Sequence, residues 1–100
     1  MSRLDQYNNQ IETLCKQHQV TSLYAFGSVL NDQFNDSSDI DLVVDFAPIA
    51  VELYADNYFD LKFSLEDVLK RPIDLLEEKA IKNPYLRQSI EAKKQLVYGY

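Results

Sequence analysis

Asp39-Ile40-Asp41-Leu42-Val43-Val44-Asp45-Phe46 is the stretch on which the reading of this chain turns. Successive side chains of a strand point to opposite faces. Ile40, Leu42, Val44 and Phe46 share one parity, and Asp39, Asp41, Val43 and Asp45 share the other. One face is therefore built for burial, while the other displays carboxylates. Aspartate is depleted in strands because its side chain competes for backbone hydrogen bonds, so a strand that opens Asp-Ile-Asp has a use for its acids. Two carboxylates at i and i+2 on one face repel, and one would gain a proton unless a cation sat between them. Mg²⁺ suits the place: it takes hard oxygen ligands and commonly shares its site with substrate phosphates.

Upstream, Val20 to Phe26 is rich in branched and aromatic residues and reads as a first strand. Gly27-Ser28 interrupts it, and Ser28 is placed to cap a short helix through about Phe34. A glycine lets backbone approach a ligand closely, and a following helix N-terminus favours anions. Gly27 and Ser28 are thus the candidate phosphate-binding residues. Downstream, Pro72 closes a long helix, and Ile73 to Glu77 reads as a third strand carrying Asp74. If that strand pairs beside the second, Asp74 reaches the same site as Asp39 and Asp41. There it would serve as a third metal ligand or take a proton from an attacking hydroxyl. Donors on the phosphate and a metal on the reacting oxygens are the parts that phosphoryl and nucleotidyl transfer require.

The remaining elements follow from periodicity. Leu4, Tyr7, Ile11, Leu14 and His18 mark one face of a first helix, with Cys15 beside the stripe as a small core residue. Val51, Tyr54, Tyr58, Leu61, Leu65 and Val68 mark a helix over about Ile49 to Lys70. Asn83-Pro84 is an N-cap with proline at the first helical position, opening a last helix to about Val97. Tyr98-Gly99-Tyr100 is left as a frayed tail. Asp45 is expected to be solvated, and His18 suits a helix C-terminus. Tyr54, Tyr58, Phe59 and Phe63 are more aromatics than one stripe needs, so they serve core packing or a partner. The order predicts an α/β fold, a small mixed sheet of three or four strands flanked by helices.

The 100 residues make one domain, 1–100. Apolar residues at 46% and charged residues at 26% are those of a globular protein rather than a disordered one. The net charge of −6 disfavours general nucleic-acid binding. A single cysteine, an N-terminus with no apolar signal region and no long apolar run lead us to expect a cytoplasmic protein that does not enter a membrane.

Phe26-Gly27-Ser28, Ser38-Asp39-Ile40-Asp41-Leu42-Val43-Val44 and Arg71-Pro72-Ile73-Asp74-Leu75-Leu76 together resemble the nucleotidyltransferase superfamily of DNA polymerase β and kanamycin nucleotidyltransferase. They are most similar to its smallest members, the minimal nucleotidyltransferases of prokaryotes, and the likeness spans nearly the whole chain. It implies Gly27 and Ser28 for phosphate, Asp39 and Asp41 for metal, Asp74 as the third acid, and ATP or another NTP with Mg²⁺ in the site. It also implies a HEPN-domain partner: several minimal members act as antitoxins that neutralise a HEPN toxin, some by transferring AMP to a tyrosine. Many of them carry arginine soon after Gly-Ser, where this chain has Val29-Leu30-Asn31-Asp32. Arg71, Lys62 or a partner chain then has to supply the positive charge. The expected activity is transfer of a nucleoside monophosphate to an acceptor hydroxyl. Two rival expectations are a binding module that neutralises its partner by contact, and a small-molecule nucleotidyltransferase of the aminoglycoside type. A homo-oligomer is also compatible with the sequence.

Overall fold

The computed structural model describes residues 4–27 and 38–99. The short helix expected from Ser28 to Phe34 lies outside the described residues. After a turn of 3₁₀ helix at Asp5–Tyr7 come α1 (Asn8–Gln17), β1 (Val20–Phe26), β2 (Ile40–Phe46), α2 (Val51–Leu69) and β3 (Ile73–Glu77). A second 3₁₀ turn at Glu78–Ala80 leads to α3 (Pro84–Lys93) and β4 (Gln95–Gly99). The sheet order is β3-β2-β1-β4. β1 runs antiparallel to β2 and β4, and β2 parallel to β3. A parallel pair needs a crossover connection, and α2 is that connection.

The parity of β2 sorts its side chains as the sequence demands. Ile40, Leu42, Val44 and Phe46 are buried and join Leu23 and Ala25 of β1 with Ile73 and Leu75 of β3 in one core. Ile11 and Cys15 of α1 and Leu61, Leu65 and Leu69 of α2 close over that face. Burying side chains of this size contributes roughly 1.5–3 kcal/mol each. Val43, of the other parity, is buried as well, as is Ile90 of α3, and both stand apart from the main core. The Lys94 ammonium after α3 lies 4.1 Å from the centre of the Tyr24 ring, and Tyr24 is the cross-strand partner of Val43. The carboxylate face is therefore not uniformly open to water.

α2 also covers the outer edge of β3. The Glu66 carboxylate accepts from the Ile73 N–H at 2.9 Å, and the Tyr58 hydroxyl donates to the Leu75 carbonyl at 2.5 Å. An uncovered edge strand is a template for unwanted pairing, and these side chains occupy it. His18 ties α1 to α2. Its Nδ1 donates to the Leu14 carbonyl at 2.6 Å, and its Nε2 lies 2.5 Å from Asp60 Oδ2. Asn83 caps α3 by accepting from the N–H groups of Tyr85 and Leu86, with Pro84 at the first position.

Three expectations are corrected. The last helix ends at Lys93, not near Val97, because Lys94 already has extended backbone (ψ 149°). Residues 95–99 then form β4 on the open edge of β1, with Tyr98 opposite Leu23 and packed against the core rather than frayed. Asp45 is not simply solvated: its side chain is 31% exposed and its Oδ1 stands 3.5 Å from the Lys79 ammonium.

Gly99 makes β4 testable. Its φ is +98°, and a Cβ there would stand 2.2 Å from the Thr21 carbonyl oxygen of the main chain. Gly99→Ala is expected to lower unfolding free energy by about 1–3 kcal/mol, read from the urea midpoint. An unchanged midpoint would mean that β4 does not pair with β1 in this way.

Candidate active site

The site begins with the register of two strands. Asp41 of β2 is the direct partner of Asp74 of β3, between the pairs Ile40–Ile73 and Leu42–Leu75. The same period that sends these isoleucines and leucines into the core sends both aspartates to the opposite face. Asp39 precedes β2 by one residue and is exposed, Asp41 is half-buried and Asp74 is exposed. The start of this arrangement is tied down from below. The Ile40 N–H donates to the Pro72 carbonyl at 3.0 Å, and the Arg71 guanidinium donates to the Ser38 carbonyl at 3.1 Å.

Gly27 brings β1 to the same place. Phe26 pairs with Asp41, and Gly27 follows with φ +76°. A Cβ on Gly27 would stand 2.5 Å from Asp41 Oδ2. A side chain there would have to displace the Asp41 carboxylate, and the positive φ independently favours glycine. The glycine backbone thus abuts the Asp41 carboxylate, whereas the close approach expected of it is to a ligand phosphate. Ser28 lies outside the described residues.

Asp41 carries the electrostatic signature of the site. Burial first, then the neighbouring Asp74 and Asp39 carboxylates, hold its carboxyl above the ordinary value. Burial and like charges both disfavour the ionised form, so the three acids act on one another. Among the described residues no three His, Cys, Asp or Glu side chains are gathered into a ready metal cage. Mg²⁺ does not require one, since it is usually held by one or two carboxylates together with substrate phosphates and water. A hard, all-oxygen donor set with mutual repulsion fits such a cation.

Of the cations considered for a triphosphate, Arg71 is engaged with Ser38, and Lys62 lies 3.9 Å from Glu66, the residue that caps Ile73. Both stand by the first residues of β2 or β3. Sequence reasoning did not find Arg71 and Glu66 as the residues that anchor these strand starts. The Arg-Pro pair after a long helix marks the turn, but the contacts join residues far apart in sequence. Cys15 is buried, its thiol pushed up to about 12 by burial and by Glu12, and it is no nucleophile.

The mixed sheet with a glycine bend set against an acidic strand pair defines the polymerase β-like nucleotidyltransferase fold. Residues 9–100 match the family described as Polymerase beta, Nucleotidyltransferase, and the chain belongs to that family and is a nucleotidyltransferase. A protein of Methanocaldococcus jannaschii provisionally named a protein adenylyltransferase is 36% identical over 85 residues, covering 85% of this chain and 82% of its own. A solved structure provisionally described as a minimal nucleotidyltransferase superposes with a TM-score of 0.75 at 27% identity, covering 92% of this chain and 90% of that one. A complex of a tri-AMPylated Shewanella oneidensis HEPN toxin with its MNT antitoxin shares the fold, with a TM-score of 0.66 at 23% identity over 95% of this chain and 72% of that one. No helix among the described residues is long and apolar enough to cross a membrane.

Two outcomes test the geometry. Gly27→Ala is expected to weaken nucleotide binding by about tenfold or more, since strain of ~1–3 kcal/mol falls directly on the site. Isothermal titration with ATP checks this, and unchanged affinity would separate Gly27 from the site. In metal-free protein, Asp74→Asn is expected to bring the Asp41 carboxyl down toward its ordinary value, followed by NMR titration. The sign for stability follows: a carboxyl held high in the folded state binds its proton better there than when unfolded. Its ionisation therefore opposes folding as pH rises from the unfolded value through the folded one. Asp74→Asn should stabilise the fold at neutral pH and lose that advantage at acid pH, where the carboxyls are protonated.

Proposed function

We propose that the chain transfers a nucleoside monophosphate, AMP from ATP, to a hydroxyl on a protein partner, with Mg²⁺ held by Asp39, Asp41 and Asp74. The observation that carries this reading is the cross-strand pair Asp41–Asp74 with the Gly27 backbone against Asp41. Bound metal would neutralise charge on the phosphate oxygens. The chain's own residues do the rest. Gly27 brings the end of β1 against the acidic wall without a side chain of its own, and the Gly27-Ser28 backbone with the Ser28 hydroxyl would donate to phosphate. Asp39 and Asp41 fix the acidic wall from one strand. Asp74, the most open of the pair, is placed to take the proton of the incoming hydroxyl as it attacks the α-phosphate and pyrophosphate departs.

The names of the relatives support a protein acceptor, and the fold neighbours support a toxin–antitoxin setting with a HEPN-domain partner. On this reading the chain is an antitoxin that disarms its partner by adenylylation. A second reading, neutralisation by contact alone, is favoured by the exposed aromatics of α2, Phe59 and Phe63.

Labelling separates the two. The purified protein, Mg²⁺, ATP labelled at the α-phosphate and a HEPN-domain protein as the acceptor should yield labelled HEPN-domain protein. Asp39→Asn with Asp41→Asn should reduce labelling by about a hundredfold or more, in line with losses at metal-site residues. Full labelling by the double variant would sink the transfer mechanism. A double variant that no longer labels yet still neutralises the partner would establish contact as the means.

A further inference from the structure

Phe63 sits two residues from both Leu61 and Leu65, which are completely buried. At about 100° per residue, it stands on the opposite side of α2. Phe59 is one turn earlier on the same outer face, and the two rings stack 6.0 Å apart, while Phe59 meets Tyr58 edge-on at 5.0 Å. They are 49% and 57% exposed, respectively. Single exposed apolar residues are ordinary, but a stacked aromatic pair on a helix face that the core does not use marks an interaction surface. Tyr54 and Tyr58 differ: they serve the core and the β3 edge.

The charge around this pair says what covers it. α2 carries five acids and one lysine, so most of the chain's net charge of −6 lies on this one helix. By helical spacing Asp56, Asp60 and Asp67 run along one flank of Phe59 and Phe63, and Glu52 lies in line with the pair; all four are exposed, Asp60 also meeting His18 and Asp67 standing 3.6 Å from Lys70. Lys62 lies on the other flank, 5.4 Å from the Phe63 ring centre and beside Glu66. We infer that this outer face of α2 docks a protein helix presenting an apolar stripe bordered by Lys or Arg. The stripe covers Phe59 and Phe63, and the cations meet the acidic flank.

A second copy of this chain is a poor occupant. Antiparallel self-pairing lays acid flank on acid flank, and parallel pairing sets three acids against Lys62, which already stands beside Glu66. Like-charge juxtaposition of this kind disfavours a partner strongly. The surface is also separate from the transfer reading. α2 packs on the apolar face of the sheet, and the aspartates project from the other.

The test uses a synthetic helical peptide with leucines at i, i+4, i+7 and i+11 and arginines along one flank. A scrambled peptide of equal composition and a peptide with glutamate for arginine are its controls. Fluorescence anisotropy should show binding of the striped peptide, with either control about tenfold weaker or worse. Phe59→Ser with Phe63→Ser, which leaves charge unchanged, should weaken binding about tenfold or more. Asp56→Lys with Asp67→Lys should weaken it far more than Asp5→Lys with Glu91→Lys, an equal charge change elsewhere. Equal binding to the double serine variant, or no preference for the striped peptide, overturns the proposal. So does sedimentation showing a dimer of the wild-type chain that the serine variant dissolves, since the occupant would then be a second copy.

Discussion

The parallel pairing of β2 with β3 is the constraint on which the rest of the molecule depends. One register, Asp41 opposite Asp74, satisfies two demands together. It places Ile40, Leu42, Ile73 and Leu75 in the core and the two acids on the other face. A slip by one residue would invert every side chain, burying carboxylates and exposing leucines. The hydrophobic core therefore holds the acidic pair together against its own repulsion. Burial of Asp41 first, and then the Asp74 and Asp39 charges, hold its carboxyl above the ordinary value, and the apolar burial that offsets this cost is many times larger in sum.

Such a site costs stability and is kept only because the scaffold over-determines it. The register is fixed at both strand starts by the Ile40–Pro72 and Arg71–Ser38 hydrogen bonds. It is fixed at the outer edge by Glu66 and Tyr58 from α2. Gly27 completes the arrangement, because its φ of +76° favours glycine and a Cβ there would push the Asp41 carboxylate from its place. α2 thus has three jobs on three sides: it fills the core, seals β3 and presents an acidic, aromatic surface outward.

Much of this was legible in the order of residues. The alternation in Ile40–Phe46 fixes which side chains are buried, since period two admits only two faces. Val20–Phe26 and Ile73–Glu77 announce themselves as strands by branched and aromatic residues bounded by Gly27 and Pro72. Asn83-Pro84 specifies a helix start because the cap bonds are local. The acidic constellation was legible too, since aspartates in a strand run against propensity and so signal a purpose.

Other features depend on atoms distant in sequence. Gln95–Gly99 carries no strong alternation, and Ile90 followed by Val97 extends a helical spacing. The chain becomes a strand there because β1 offers an open edge, which only the assembled sheet possesses. Val43 shares the parity of the acids and is buried all the same, because exposure is set by what packs above a face and not by parity. Asp45 meets Lys79, and Arg71 meets Ser38, across thirty residues or more of intervening chain. Local pattern determined the elements, their faces and the candidate acids, because propensity and periodicity act within a few residues. The register that makes those acids neighbours, the glycine contact and the fourth strand were decided only by the tertiary fold, because each requires two segments to meet.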